Sequence, residues 1–203
     1  MSKGLVGIVD YGIAGNVHSI YRALNQVCSN VKVVTSESEI KNCDRLVLPG
    51  VGSFVDGMKE IENRNLFDVI LKSIESKPTL GICLGMQILA KIGYEFGETE
   101  GFGVFDASVK KIDTDGIIPH VGFNYIEMVK DTELLKDIDL DKASFYFMHS
   151  YEVVNFKEVV AVTNYSKHQF VSMMQKDNIF GVQFHPEKSR EDGLKIFKNF
   201  LKI

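Results

Sequence analysis

The sequence predicts an α/β fold, with a doubly wound, mostly parallel sheet, flanking helices and a β-rich second half, in a single domain over residues 1–203. Apolar runs of strand length alternate with helical patterns through the first half, as they do where strands are buried on both faces and joined by helices. Short β-rich segments then follow in close succession, and no Pro/Gly/Ser linker, repeat or low-complexity stretch divides the halves. The 45% of hydrophobic residues supplies one core of single-domain size.

The elements follow in order. LVGIVD (5–10) is the first strand, and a helix from about Asn16 places Val17, Ile20, Leu24 and Val27 on one face. VKVVT (31–35) and RLVLPG (45–50) are strands, and helical material spans 53–76. TLGIC (79–83) is a strand that leads into a helix at LGMQILAKI. The second half offers FGVFDASVKKI, FNYIEMV, SFYFMHSYEVV, VVAVTNY, FVSMMQK and IFGVQFHP as strands. A closing helix at 190–202 starts at Ser189, with Asp192 placed as in a capping box, and packs Leu194, Phe197, Phe200 and Leu201.

Composition narrows the function. The net charge of −4 with scattered lysines gives no nucleic-acid footprint. No uninterrupted apolar run approaches the ~20 residues that span a bilayer, so no membrane segment is expected. Three cysteines, Cys28, Cys43 and Cys83, without a secretory leader predict free thiols in the cytoplasm. No CxxC or His-rich spacing suggests a metal, and no cofactor is expected.

In a doubly wound sheet the ligand crevice lies outside the carboxyl ends of the strands. Gly81-Ile82-Cys83-Leu84-Gly85 falls at such an end and has the form of a nucleophile elbow, G-x-nucleophile-x-G. A thiol held exposed there, at a helix N-terminus, is favoured as the thiolate. A core cysteine in a tight turn fits the same five residues. A nucleophile needs a base and the base an orienter. Of five histidines, His18, His120, His149 and His168 lie in or beside turns and strands without a carboxylate at obvious spacing. His185 ends the apolar strand of IFGVQFHPEKS. On an extended segment Glu187, two residues on, points the same way and can accept from its ring. Cys83, His185 and Glu187 together point to a Cys-His-Glu triad.

GICLGMQ, followed about a hundred residues later by GVQFHPEKS, resembles the class I, triad-type glutamine amidotransferases, whose fold is flavodoxin-like. Over nearly its whole length the chain is similar to the glutaminase subunits of imidazole glycerol phosphate synthases, through IVDYGIAGNVHSI, LPGVGSF, IPHVGFN and FYFMHSY as well. The resemblance implies L-glutamine as substrate, with Cys83 as nucleophile, His185 as acid/base and Glu187 as orienter. It implies an oxyanion hole from the strand holding Gly52 and from Leu84, and substrate contacts at Gln87, Glu95 and Ser150. It further implies a β/α-barrel cyclase-type synthase subunit as heterodimer partner, faced by Asn16, His120, Phe123, Asn124 and Lys188.

The chain departs from the family at three places. PHVGFN (119–124) stands where the subfamily usually has Pro-His-Met-Gly-Trp-Asn, and the chain has no tryptophan. The family's Y-G-x-G-N is one residue longer here, Tyr11-Gly12-Ile13-Ala14-Gly15-Asn16. AKIGYEFGE replaces the acidic stretch usual after CLGMQ, so Glu95 is placed by its distance from Cys83. These changes leave open a paralogue that supplies ammonia for aminating a sugar in surface-glycan synthesis. A stand-alone γ-glutamyl cysteine hydrolase and a non-catalytic regulatory subunit are the readings from other classes.

Overall fold

The computed structural model describes residues 4–12 and 16–203, so the inserted loop residues Ile13, Ala14 and Gly15 lie outside the described residues. The first half runs β1 (Val6–Val9), α1 (Val17–Asn25), β2 (Val31–Val34), α2 (Glu37–Lys41), β3 (Arg45–Leu48), α3 (Phe54–Asn63), α4 (Phe67–Ile74) and β4 (Thr79–Ile82). A single turn, α5 (Leu84–Gln87), leads to β5 (Ala90–Gly93), β6 (Thr99–Glu100) and β7 (Phe105–Lys111). The second half continues with β8 (His120–Asn124), β9 (Glu127–Met128), β10 (Phe145–His149), β11 (Tyr151–Val154), β12 (Val159–Tyr165), β13 (His168–Lys176), β14 (Ile179–Val182) and α6 (Arg190–Phe200).

The main sheet has eight strands in the order β2-β1-β3-β4-β14-β13-β12-β9. The five from β2 to β14 are parallel and the rest antiparallel. Every residue of β1 and β4 is buried, as strands covered on both faces require. A four-stranded sheet, β11-β7-β5-β6, and a two-stranded ribbon, β10-β8, complete the β structure. Phe145, Phe147, Phe170, Phe184, Phe197 and Phe200 are fully buried, and each such side chain contributes roughly 1.5–3 kcal/mol. No helix among the described residues is long and apolar enough to cross a membrane.

Register decides where the site falls. Leu48 of β3 pairs with Gly81 and Val182 of β14 pairs with Ile82, so three strands finish at one edge of the sheet. The segments leaving that edge are 49–53, Cys83 onward, and 183–185.

Two expectations are corrected. The helix expected at LGMQILAKI lasts one turn, because Ala90–Gly93 is drawn off to pair with β7. Ser189 begins α6 but makes no side-chain cap. Its hydroxyl instead donates to His185 O at 2.6 Å and accepts from Tyr146 N at 2.9 Å. On the face of α6 expected to pack, Phe197, Phe200 and Leu201 are buried and Leu194 is half-buried against the core, with Gly193, Ile196 and Asn199 buried beside them.

The turn at Cys83 is made by close backbone approach. A Cβ on Gly85 would lie 1.9 Å from Leu48 O, and one on Gly81 would lie 2.5 Å from Gly85 O. Neither neighbour is the movable tip of a side chain. Gly85→Ala is therefore expected to destabilise the fold by about 2–3 kcal/mol, read as a lowered denaturation midpoint.

Candidate active site

Cys83 has φ 54° and ψ −109°, a backbone conformation that non-glycine residues rarely adopt and that costs about 1–3 kcal/mol. The turn is held by Cys83 N donating to Val182 O at 2.8 Å, and by Met86 N and Gln87 N donating to Cys83 O at 3.0 and 3.1 Å. The thiol is not exposed as the elbow pattern suggested, since Cys83 is only 7% exposed. It lines a cleft of about 230 Å³ together with Gly52, Leu84, Gln87, Glu95, Ser150 and Tyr151. The other cysteines, Cys28 and Cys43, are also free thiols.

His185 Nδ1 donates to Glu187 Oε1 at 2.8 Å, with both side chains wholly buried. Their meeting does not come from strand alternation. Pro186–Lys188 forms a 3-10 turn after β14, and that turn folds the carboxylate back onto the ring. His185 N donates to Tyr146 O at 2.8 Å, which fixes the turn against β10. The other ring nitrogen, Nε2, has no hydrogen-bond partner. Burial pulls the imidazole's pKa down, but the neighbouring Cys83 sulfur and the Glu187 carboxylate outweigh it and raise the pKa to about 10. The ring is thus poised to hold a proton beside the thiol at neutral pH.

Asn16 is not an exposed contact residue. It is 3% exposed and its Nδ2 donates to the same Glu187 Oε1 at 3.0 Å. The expected substrate residues do meet at the cleft. Gln87 is buried, and its Nε2 donates to Tyr151 O and to Gln183 Oε1, both at 2.9 Å. Glu95 accepts from Phe54 N at 2.8 Å, and burial raises its carboxyl pKa. Ser150, between β10 and β11, accepts from Ile112 N at 3.0 Å through its carbonyl. Gly52 is not on a strand but in the loop after β3, with φ +133°, where a side chain would be strained.

The remaining expected partner residues divide by exposure. Phe123 is 42% exposed, with the Arg190 guanidinium 4.5 Å from its ring centre, and Lys188 is exposed with its ammonium 5.4 Å from the Tyr146 ring centre. Asn124 is half-buried and donates to Asn164 O at 3.1 Å. His120 is 3% exposed and lies beneath this surface.

Sequence reasoning missed two features. Gln183, fully buried, donates through Nε2 to Cys83 Sγ at 3.5 Å; a lone amide in the apolar run GVQF was its signal. His149 and His120 form a buried pair, Nε2 to Nδ1 at 3.2 Å. His149 Nδ1 lies 2.9 Å from Tyr151 O and must donate there, so its Nε2 accepts from His120. His168, with no carboxylate at obvious spacing in the sequence, lies 2.7 Å from Glu152, a partner sixteen residues away that local spacing cannot reveal.

The fold and cleft place this chain in a known class. The family model for glutamine amidotransferase class-I matches residues 8–203, and the chain belongs to that family. It is similar, at 44% identity over 97% of both chains, to "Imidazole glycerol phosphate synthase subunit HisH" of Caldanaerobacter subterraneus subsp. tengcongensis. It is 38% identical to "Imidazole glycerol phosphate synthase subunit HisH 1" of Campylobacter jejuni, over 98% of this chain and all of the relative. A solved structure titled "Structure of PurLQS from Thermotoga maritima" shares the fold, with a TM-score of 0.79 at 19% identity over 97% of each chain.

Burial carries the pKa of His149 from the ordinary 6.5 down to about 3, with His120 and His185 adding to the effect and the Tyr151 carbonyl opposing it. A depressed folded value means that this stability is complete above 6.5 and is lost as pH falls toward 3. The denaturation midpoint should fall across that window, and His149→Phe should flatten the slope.

Proposed function

We propose that this chain is the glutaminase subunit of an imidazole glycerol phosphate synthase of histidine biosynthesis, acting as one domain over residues 1–203 in the cytoplasm. The observation that carries the reading is the buried His185–Glu187 pair set beside a cysteine on a strained turn, at the floor of a cleft lined by Gln87, Glu95 and Ser150. The full-length similarity to chains named as subunits of that synthase supports the pathway.

The Cys83 thiolate attacks the side-chain carboxamide carbon of L-glutamine. Backbone N–H groups of Leu84 and of the Gly52 loop receive the developing oxyanion, an effect of about 3–4 kcal/mol per donor. His185 gives its proton to the departing nitrogen, ammonia leaves, and a γ-glutamyl thioester remains on Cys83. The same ring, held by Glu187, then takes a proton from water, which attacks the thioester carbon and releases L-glutamate. Ammonia set free in water is mostly protonated and no longer a nucleophile. Docking against a β/α-barrel cyclase-type subunit keeps it dry and useful.

The exposed apolar residues Val121, Phe123 and Tyr125 support a docking face on β8 and just beyond it. Phe123, standing where the subfamily usually has tryptophan, favours a face of altered shape and keeps a sugar-aminating partner as the second reading. Assays with a histidine-pathway barrel subunit and with a sugar-aminating one separate the two by which partner supports glutamine-dependent amination.

Cys83→Ala should lower partner-stimulated glutamine hydrolysis by about 10³-fold or more, and normal hydrolysis by that variant would overturn the triad. The His185 proton is retained as pH rises past neutrality and lost near 10. Glutaminase kcat/KM should therefore hold through neutral pH and fall on an alkaline limb near that value.

A further inference from the structure

We propose that Gln183 is a positioning residue for the Cys83 nucleophile and for Gln87: its buried amide donates to the sulfur at one end and orients Gln87 at the other. The inference rests on Cys83 being the nucleophile. It adds a residue outside the triad, the oxyanion donors and the substrate contacts already described.

Gln183 directly follows β14, and its backbone is pinned by Gln183 N donating to Ser172 O at 2.9 Å. Its side chain is fully buried between two partners. Nε2 lies 3.5 Å from Cys83 Sγ, and Oε1 lies 2.9 Å from Gln87 Nε2. Only one amide orientation satisfies both. A flip would set the carbonyl against the sulfur lone pairs and an N–H₂ against the N–H₂ of Gln87.

Two consequences follow from that orientation. When the thiol proton passes to His185, the sulfur keeps a fixed donor that needs no reorganisation, and charge in a water-poor site is stabilised most by such preorganised dipoles. Gln87, meanwhile, spends both its N–H bonds, on Tyr151 O and on Gln183 Oε1. What it can still offer the cleft is its carbonyl oxygen. The site therefore presents an acceptor at Gln87, matched to an N–H donor of glutamine, its α-ammonium or its carboxamide N–H₂, and mismatched to a carboxylate oxygen.

The test uses the full chain and two probes, iodoacetamide and L-glutamine. Gln183→Met keeps side-chain length but cannot donate. Alkylation of Cys83, read by mass spectrometry against Cys28 in the same chain, should slow by about tenfold or more at pH 7, with its pH profile displaced upward. Partner-stimulated turnover should fall and KM for glutamine should rise. Gln87→Met should raise KM for glutamine. Gln183→Asn, which keeps an amide but withdraws it from the sulfur, should show the same alkylation loss and serves if the Met variant does not fold. Unchanged alkylation rate and profile in either folded Gln183 variant overturns the proposal. Glutamine hydrolysis surviving Cys83→Ala would instead overturn the nucleophile assignment, whatever the Gln183 variants do.

Discussion

The contact on which the rest depends is the passage of the turn after β4 beneath the end of β3. Gly85 meets the Leu48 carbonyl so closely that only a glycine fits, and Gly81 is closed in by Gly85 in the same way. The intervening Cys83 must then take a backbone conformation that costs about 1–3 kcal/mol. Burial of β4 on both faces, between β3 and β14, offsets that cost and holds the turn in place. Because β14 runs parallel to β4 in register, His185 leaves the sheet at the same edge as Cys83.

Around that edge the protein buries polar groups that a core would ordinarily exclude. Glu187 Oε1 takes a hydrogen bond from His185 and another from Asn16, while Glu187 Oε2 and His185 Nε2 remain without partners. Unsatisfied buried groups cost about 1–3 kcal/mol each, and they persist where the surrounding fold imposes them. The His149–His120 pair solves the same difficulty differently. Each ring is neutral and each finds a partner, in a chain from the Tyr151 carbonyl through His149 and His120 to Asn124 near the surface. The glutamine cleft is thus framed by one charged and one neutral histidine assembly.

Much of this was legible in the linear pattern. Alternating apolar runs placed β1 to β4 within two residues, because buried parallel strands carry an undiluted hydrophobic signal, whereas the short helix α2 went unread and the stretch 53–76 divides into α3 and α4. The G-x-C-x-G spacing located the turn, since its glycines answer to local crowding. The segment 88–93 misled, because an apolar run of that length suits a helix or a buried strand, and pairing with β7 decided between them. Ser189 has the spacing of a helix cap, yet its hydroxyl is taken by Tyr146 and His185, a competition no local rule can see. Asn16, which the resemblance set among the partner-facing residues, is buried, and its amide reaches Glu187 Oε1 across the fold.

The sequence by itself determined the class of fold, from apolar runs alternating along the chain, and located the turn at Cys83 and the His185–Glu187 pair, since each of those two rests on spacing within a few residues. Tertiary structure alone decided that Glu187 reaches His185 through a 3-10 turn, that Asn16 stands behind the carboxylate, and that Gln183 bridges Cys83 and Gln87. These are contacts between residues up to 171 positions apart. Their geometry is set by sheet register and packing, which no short-range pattern encodes.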